Sequence, residues 1–161
     1  MKIADIRTIA LSCRCDPPYA SAAGVQGQRG ALLVEIETDN GIVGIGEAGI
    51  GGGVTADVIG KVLAPLLRGE DPLLIEHLWQ KMFARTRQYG RRGLVMQAIS
   101  GIDIALWDIA GKVANLPLYR LLGGCRDRSR RMPAAVSTRR ASRSTILPAR
   151  PRATAPAASR A

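Results

Sequence analysis

The sequence predicts an α+β fold, a three-stranded antiparallel meander followed by a helical bundle. Three observations lead there. The first 48 residues read as strands broken by turns, the next 75 read as helices, and an Asn-Gly pair joins two of the strands. Strands gathered first and helices second exclude a parallel βαβ sheet. Ile3, Ile6, Ile9 and Leu11 loosely mark the first strand, Met1 to Cys15. A loop is expected from Asp16 to Gly30, opening on Asp16-Pro17-Pro18-Tyr19 and continuing through Gly24, Gly27 and Gly30. In the second strand, Ala31 to Thr38, Val34 and Ile36 alternate with Glu35 and Glu37, so one face is buried and one wet. Asn40-Gly41 is a strong hairpin signal because both residues accept positive φ. The third strand is Ile42 to Glu47.

Four glycines within Gly49 to Gly53 predict a mobile loop. Thr55 can cap a helix running to about Leu67, with Val58, Val62, Leu63 and Leu66 inside. Asp71-Pro72 reads as a cap and N1 proline opening another helix, whose apolar positions are Leu74, Ile75, Leu78, Trp79, Met82 and Phe83. After the Gly90 to Gly93 break, Val95, Ile99, Ile102, Leu106, Ile109 and Val113 recur every three or four residues, the longest helix of the chain. Gly101 and Gly111 inside it cost about 1 kcal/mol each, so they mark close packing against backbone. Pro117 ends this run, and a short turn over Leu118 to Leu122 stops at Gly123-Gly124.

The formal charge is +10, but it is unevenly placed. Residues 1–128 hold 15 basic and 13 acidic residues, whereas residues 129–161 hold eight Arg and no acid. With nine Ala, five Ser and four Pro, that last segment cannot bury enough apolar surface to fold, and a disordered tail is expected. Its arginines could contact phosphate, but without interleaved aromatics nucleic acid is not the expected partner. Polar residues interrupt the apolar stretch Leu94 to Ala110, so no membrane span is expected. Charged residues through Met1 to Cys15 argue against a signal peptide. Three cysteines without a framework spacing point to a reducing, cytoplasmic setting.

Three constellations suggest chemistry. Gly44-Ile45-Gly46-Glu47-Ala48-Gly49 spells G-x-G-x-x-G, yet it follows a hairpin and opens no βαβ unit, so a nucleotide site is not expected. His77 with Glu76 and Asp71 lacks the three- or four-residue spacing that would put metal ligands on one helix face. Asp103 and Asp108 lie five apart, pointing about 140° from each other. They are expected to pair with Arg or Lys instead of each other.

Thr38 through Glu47 resembles the hairpin of the enolase superfamily's N-terminal capping domain. Gln97-Ala98-Ile99-Ser100-Gly101-Ile102-Asp103-Ile104-Ala105-Leu106-Trp107-Asp108-Ile109-Ala110-Gly111-Lys112 resembles the long helix of its mandelate racemase/muconate lactonizing enzyme branch. Leu116 to Gly124 is similar to the join into that branch's barrel, and Arg87 to Gly93 looks most like sugar-acid dehydratases and cycloisomerases. The resemblance covers residues 1–128 and implies a domain that closes over a Mg²⁺-bearing barrel. In that barrel a proton is taken α to the carboxylate of an acid-sugar or hydroxy-acid substrate, in dehydration, cycloisomerisation or racemisation. By resemblance, two loops cap the substrate, roughly Asp16 to Gly27 and Gly49 to Gly53. Asp16, Tyr19, Ser21, Gly49, Ile50 and Gly51 are the capping residues, Tyr19 and Ile50 foremost.

A barrel needs about 250 residues, and only 33 follow the join. The expectation is therefore a truncated fragment with the barrel domain missing, no catalytic residue and no metal site of its own, with Glu47 structural. Relatives commonly continue with Val-Pro-x-Tyr-Ala-Ser. The codons for Arg128 through Pro133, read one nucleotide earlier, can encode Val-Pro-Ala-Tyr-Ala, so residues 129–161 are expected to be out of frame. Left without its barrel, the domain is expected to self-associate through bare apolar surface. Two other classes stay open: a non-catalytic domain binding a partner or a carboxylate, and a basic-tailed nucleic-acid binder.

Overall fold

The computed structural model describes residues 1–21, 24–49 and 52–126, with side chains 19–21 also left undescribed. The proposed tail, residues 129–161, lies outside them. Three strands, β1 (Ile3–Ser21), β2 (Gly24–Thr38) and β3 (Val43–Ala48), form an antiparallel sheet in the order β1-β2-β3. The turn between β2 and β3 is closed by Gly41 N–H donating to the Thr38 carbonyl at 3.0 Å. Only Gly41, at φ +82°, is left-handed there; Asn40 is not. A type I turn followed by one left-handed glycine needs a single such residue, which corrects the expectation of two.

The first two strands run much farther than expected. Their pairing continues from Leu11↔Ala31 to Ser21↔Gly24, so the expected loop from Asp16 to Gly30 is largely a two-stranded arm. A register shift falls between Arg14↔Gln28 and Tyr19↔Gln26, where β1 spends five steps against two on β2. The arm has no third strand, because β3 stops opposite Leu32. With both faces wet at its described side chains, it needs no apolar alternation, the signal on which strand assignment depends.

The first helical segment starts at Gly52, not at Thr55. It runs through α1 (Gly52–Val58), one π turn (Ile59–Leu63) and α2 (Ala64–Leu67). Thr55 is buried inside α1 and caps nothing. The π turn has a cause in the sequence: Pro65 has no N–H to donate four residues back, and the Ala64 N–H reaches five residues back to the Ile59 carbonyl. Buried Thr55, Ile59, Leu63 and Leu67 recur at intervals of four. Four residues overshoot an α-helical turn by about 40°, and the wider π turn takes that drift back.

Asp71 also departs from expectation. Its carboxylate accepts the Leu73 N–H at 3.0 Å and its carbonyl accepts the Leu74 N–H, making a turn. Helix α3 starts only at Ile75 and ends at Thr86. Helix α4 (Leu94–Ala114) is the long helix expected, stopped by left-handed Asn115 at φ +52°, and α5 (Leu118–Leu121) follows Pro117.

By length and composition α4 could cross a membrane. Here its buried residues Ala98, Ile99, Ile102, Ala105, Leu106 and Ile109 are core, packed with Val34 and Ile36 of the sheet and Leu63, Leu67 and Met82 of the other helices. The packing is unusually close along one seam. A Cβ on Gly44 would lie 2.2 Å from the Ala105 carbonyl oxygen, and one on Gly46 would lie 2.1 Å from that of Gly101. A Cβ on Gly101 would meet Val34 and Ala48 side chains at 2.9 Å. The glycines of G-x-G-x-x-G therefore let a helix lie on a strand. Gly111 behaves differently, approaching the Leu116 carbonyl at the helix end.

Candidate functional site

Antiparallel order fixes where the two candidate capping segments emerge. β3 ends at Ala48, opposite Leu32, and β2 runs back from Leu32 into the arm that ends at Gly24. The arm and the segment that leaves Gly49 thus share one end of the sheet. The α4–β3 seam anchors that end rigidly.

Asp16 is exposed within the register shift, opposite no β2 residue. Tyr19 pairs with Gln26 and Ser21 with Gly24 through the backbone. Ile50 and Gly51 lie outside the described residues. Gly49 is exposed, yet a Cβ there would lie 3.0 Å from the Gln97 side chain. Gln97 was not singled out as a site residue. Its Oε1 is buried without a hydrogen-bond partner among the described residues, as is Thr55 Oγ1. Gln97 opens the Gln97 to Lys112 motif, but nothing in sequence order places it beside Gly49.

No group of three His, Cys, Asp or Glu residues able to hold a metal occurs among the described residues. His77 is exposed on α3. The two helical aspartates differ in role. Lys112 Nζ donates to Asp108 Oδ2 at 2.7 Å, the pairing expected for it. Asp103 has no cationic partner among the described residues, against expectation. The residues four before and four after it on α4, Ile99 and Trp107, are apolar, and α3 presents Glu76 to it. Burial first, and Glu76 second, push the Asp103 carboxyl above the usual carboxylate range.

That direction has a sign for stability. The folded chain holds the Asp103 proton more tightly than the unfolded chain. Its contribution favours folding below the ordinary carboxylate range and is lost as pH rises through the raised value. Asp103→Asn should melt higher than the parent near pH 7, with the difference vanishing toward about pH 3, where the aspartate is protonated. Melting curves of both proteins across that range test this, and parallel curves refute it.

Elsewhere the surface is paired conventionally. Arg68 donates to Asp5 at 2.7 Å and lowers its carboxyl, and Lys81 does the same to Glu70 at 2.5 Å. Arg7 and Glu35 pair across β1 and β2.

Comparison with known proteins places this geometry. Residues 3–123 match the family model of the mandelate racemase / muconate lactonizing enzyme N-terminal domain. The chain is 43% identical over 135 residues to an arabinonate dehydratase of Saccharolobus solfataricus, covering 80% of this chain and 36% of that one. It is 42% identical over 124 residues to a D-galactarolactone cycloisomerase of Agrobacterium fabrum, covering 77% and 32%. A racemase of Streptomyces coelicolor A3(2), solved with bound magnesium, superposes with a TM-score of 0.70 at 34% identity, covering 75% and 35%. The chain spans about a third of the length of these proteins.

Proposed function

Because the chain belongs to the mandelate racemase / muconate lactonizing enzyme family through its N-terminal domain, we propose that it is the capping domain of a Mg²⁺-dependent sugar-acid dehydratase, cycloisomerase or racemase and is not itself catalytic. The observation that carries this reading is topological: the arm and Gly49 leave the same end of the sheet. Two segments so placed can close over a ligand held by another domain, excluding water and shaping specificity. The donor set of the described residues does not fit Mg²⁺, since no three metal-capable side chains converge. No step of proton abstraction is therefore assigned to this chain; when bound in such enzymes, the metal would stabilise the enediolate. The names of the dehydratase and cycloisomerase relatives support an acid-sugar substrate. Exposed Ile9, Leu11 and Ile45 on the sheet support self-association when no other domain covers them.

A domain exchange tests the proposal. Residues 3–123 would replace the matched segment of the Agrobacterium cycloisomerase. The chimera should keep metal-dependent turnover with kcat/KM for D-galactarolactone changed about tenfold or more, a difference of ~1.4 kcal/mol. The purified 161-residue chain should not exchange a sugar acid's α-proton in deuterated buffer. Unchanged specificity in the chimera, or chelator-sensitive exchange by the chain alone, would overturn it.

A further inference from the structure

We propose that the groove between α3 and α4 is a binding site for a guanidinium group, held between the Trp79 and Trp107 rings and the Glu76 and Asp103 carboxylates. The groove has a volume of about 360 Å³ and is lined by these four residues and Ile75. Ile75 is buried, Trp79, Asp103 and Trp107 are half-buried, and Glu76 is exposed. Asp103 makes no hydrogen bond or ion pair among the described residues. Glu76 accepts one hydrogen bond, from Gln80 Nε2 at 2.8 Å. A half-buried carboxylate beside a second one is unfavourable unless a cation answers it, and none of the chain's described basic residues does so.

The aromatic walls narrow the choice of cation. Tryptophan supplies no lone pair to a metal, but it offers the strongest aromatic face to an organic cation. Trp79 is already held in place, stacked on Phe83 with centroids 5.1 Å apart and planes 13° from parallel. A guanidinium is flat and weakly hydrated, stacks on an indole, and presents forked N–H donors that match a carboxylate. An ammonium shares the charge but neither the plane nor the fork. A sugar acid, being an anion, is repelled here, so this groove and the arm end of the sheet take ligands of opposite charge.

The two tryptophans of the chain both line the groove, so its tryptophan fluorescence, excited selectively over tyrosine, reports on this place alone. The full chain is titrated with ethylguanidinium at constant ionic strength, and with neutral ethylurea as its isostere. Ethylguanidinium should give a saturable change with a midpoint in about the millimolar range, and ethylurea none. Asp103→Asn should raise the midpoint about fivefold, and Asp103→Asn with Glu76→Gln should abolish saturation. A blocked peptide, acetyl-Gly-Arg-Gly-amide, separates the two sources of the group. Tighter binding than ethylguanidinium assigns the site to an arginine side chain of a polypeptide; equal or weaker binding assigns it to a free guanidino compound. The proposal is overturned if neither guanidinium probe saturates, if ethylurea matches ethylguanidinium, or if the double variant, still melting cooperatively, binds unchanged.

Discussion

Gly46→Val should abolish the cooperative unfolding transition of this domain. The strand β3 and helix α4 touch backbone to backbone, and any Cβ at residue 46 would sit 2.1 Å from the Gly101 oxygen and 2.9 Å from the Ala105 nitrogen. Neither atom is the end of a flexible side chain. Relief requires the helix to lift, and lifting it uncovers Ile102, Leu106 and Ile109, all fully buried. Overpacking alone costs about 1–3 kcal/mol. With the seam opened, the total should reach about 4 kcal/mol or more, close to the whole stability of a small domain. Gly53→Ala is the control, since a Cβ there meets nothing within 4 Å. Circular dichroism on heating should show a sharp transition for Gly53→Ala and a broad or absent one for Gly46→Val. A Gly46→Val protein melting within a few degrees of the parent would show that α4 does not rest on β3.

The same seam shows what the sequence could and could not convey. Helix α4 was legible because its 3.6-residue apolar period is sustained over 21 residues and flanked by glycine and proline signals. The β2–β3 hairpin was legible from Val34, Ile36 and Asn40-Gly41. Gly101 announced close packing, but its partner could not be named, because a helix period does not say which strand the helix lies on. The motif Gly44 to Gly49 accordingly looked like a broken nucleotide fingerprint, when its glycines serve contacts with Ala105, Gly101 and Gln97, far along the chain. The arm escaped notice for the opposite reason: Asp16 and Gln28 lie in strands exposed around them, where no burial alternation is selected. Thr55 and Asp71 misled because residues that cap helices also occur buried within them or in isolated turns. Of the candidate site, the sequence could nominate segments by resemblance but could not show that the arm and Gly49 leave one end of the sheet, since that depends on the register that brings Ala48 opposite Leu32.

Asp108→Ala should loosen the outer edge of the sheet. β3 is an edge strand, and its outward backbone groups would otherwise stand open to pairing with another chain. Helix α4 covers them with side chains. The Ile45 N–H donates to Asp108 Oδ2 at 2.9 Å, and Lys112 Nζ donates both to the Val43 carbonyl at 2.7 Å and to Asp108 at 2.7 Å. One carboxylate and one ammonium, four residues apart on the helix, thus cap an N–H and a C=O two residues apart on the strand. The spacing works because Asp108 and Lys112 share a helix face, and Val43 and Ile45 share an edge. Charge-assisted hydrogen bonds contribute about 1.5–3 kcal/mol when shielded. Both side chains here are partly exposed, at 36% and 46%, so screening leaves a loss of about 1–2 kcal/mol. The larger consequence is kinetic. With Asp108 gone, the Ile45 N–H is uncapped and Lys112 loses its anchor, so amide exchange at Ile45 should accelerate sharply while Ile36, buried one strand inward, keeps its protection. Aggregation on gentle heating should start at a lower temperature than in the parent. Lys112→Ala should produce the same change at smaller amplitude, because it leaves the Ile45 cap in place. If exchange at Ile45 is unchanged in Asp108→Ala, the carboxylate does not cap the edge, and β3 is protected by the seam alone.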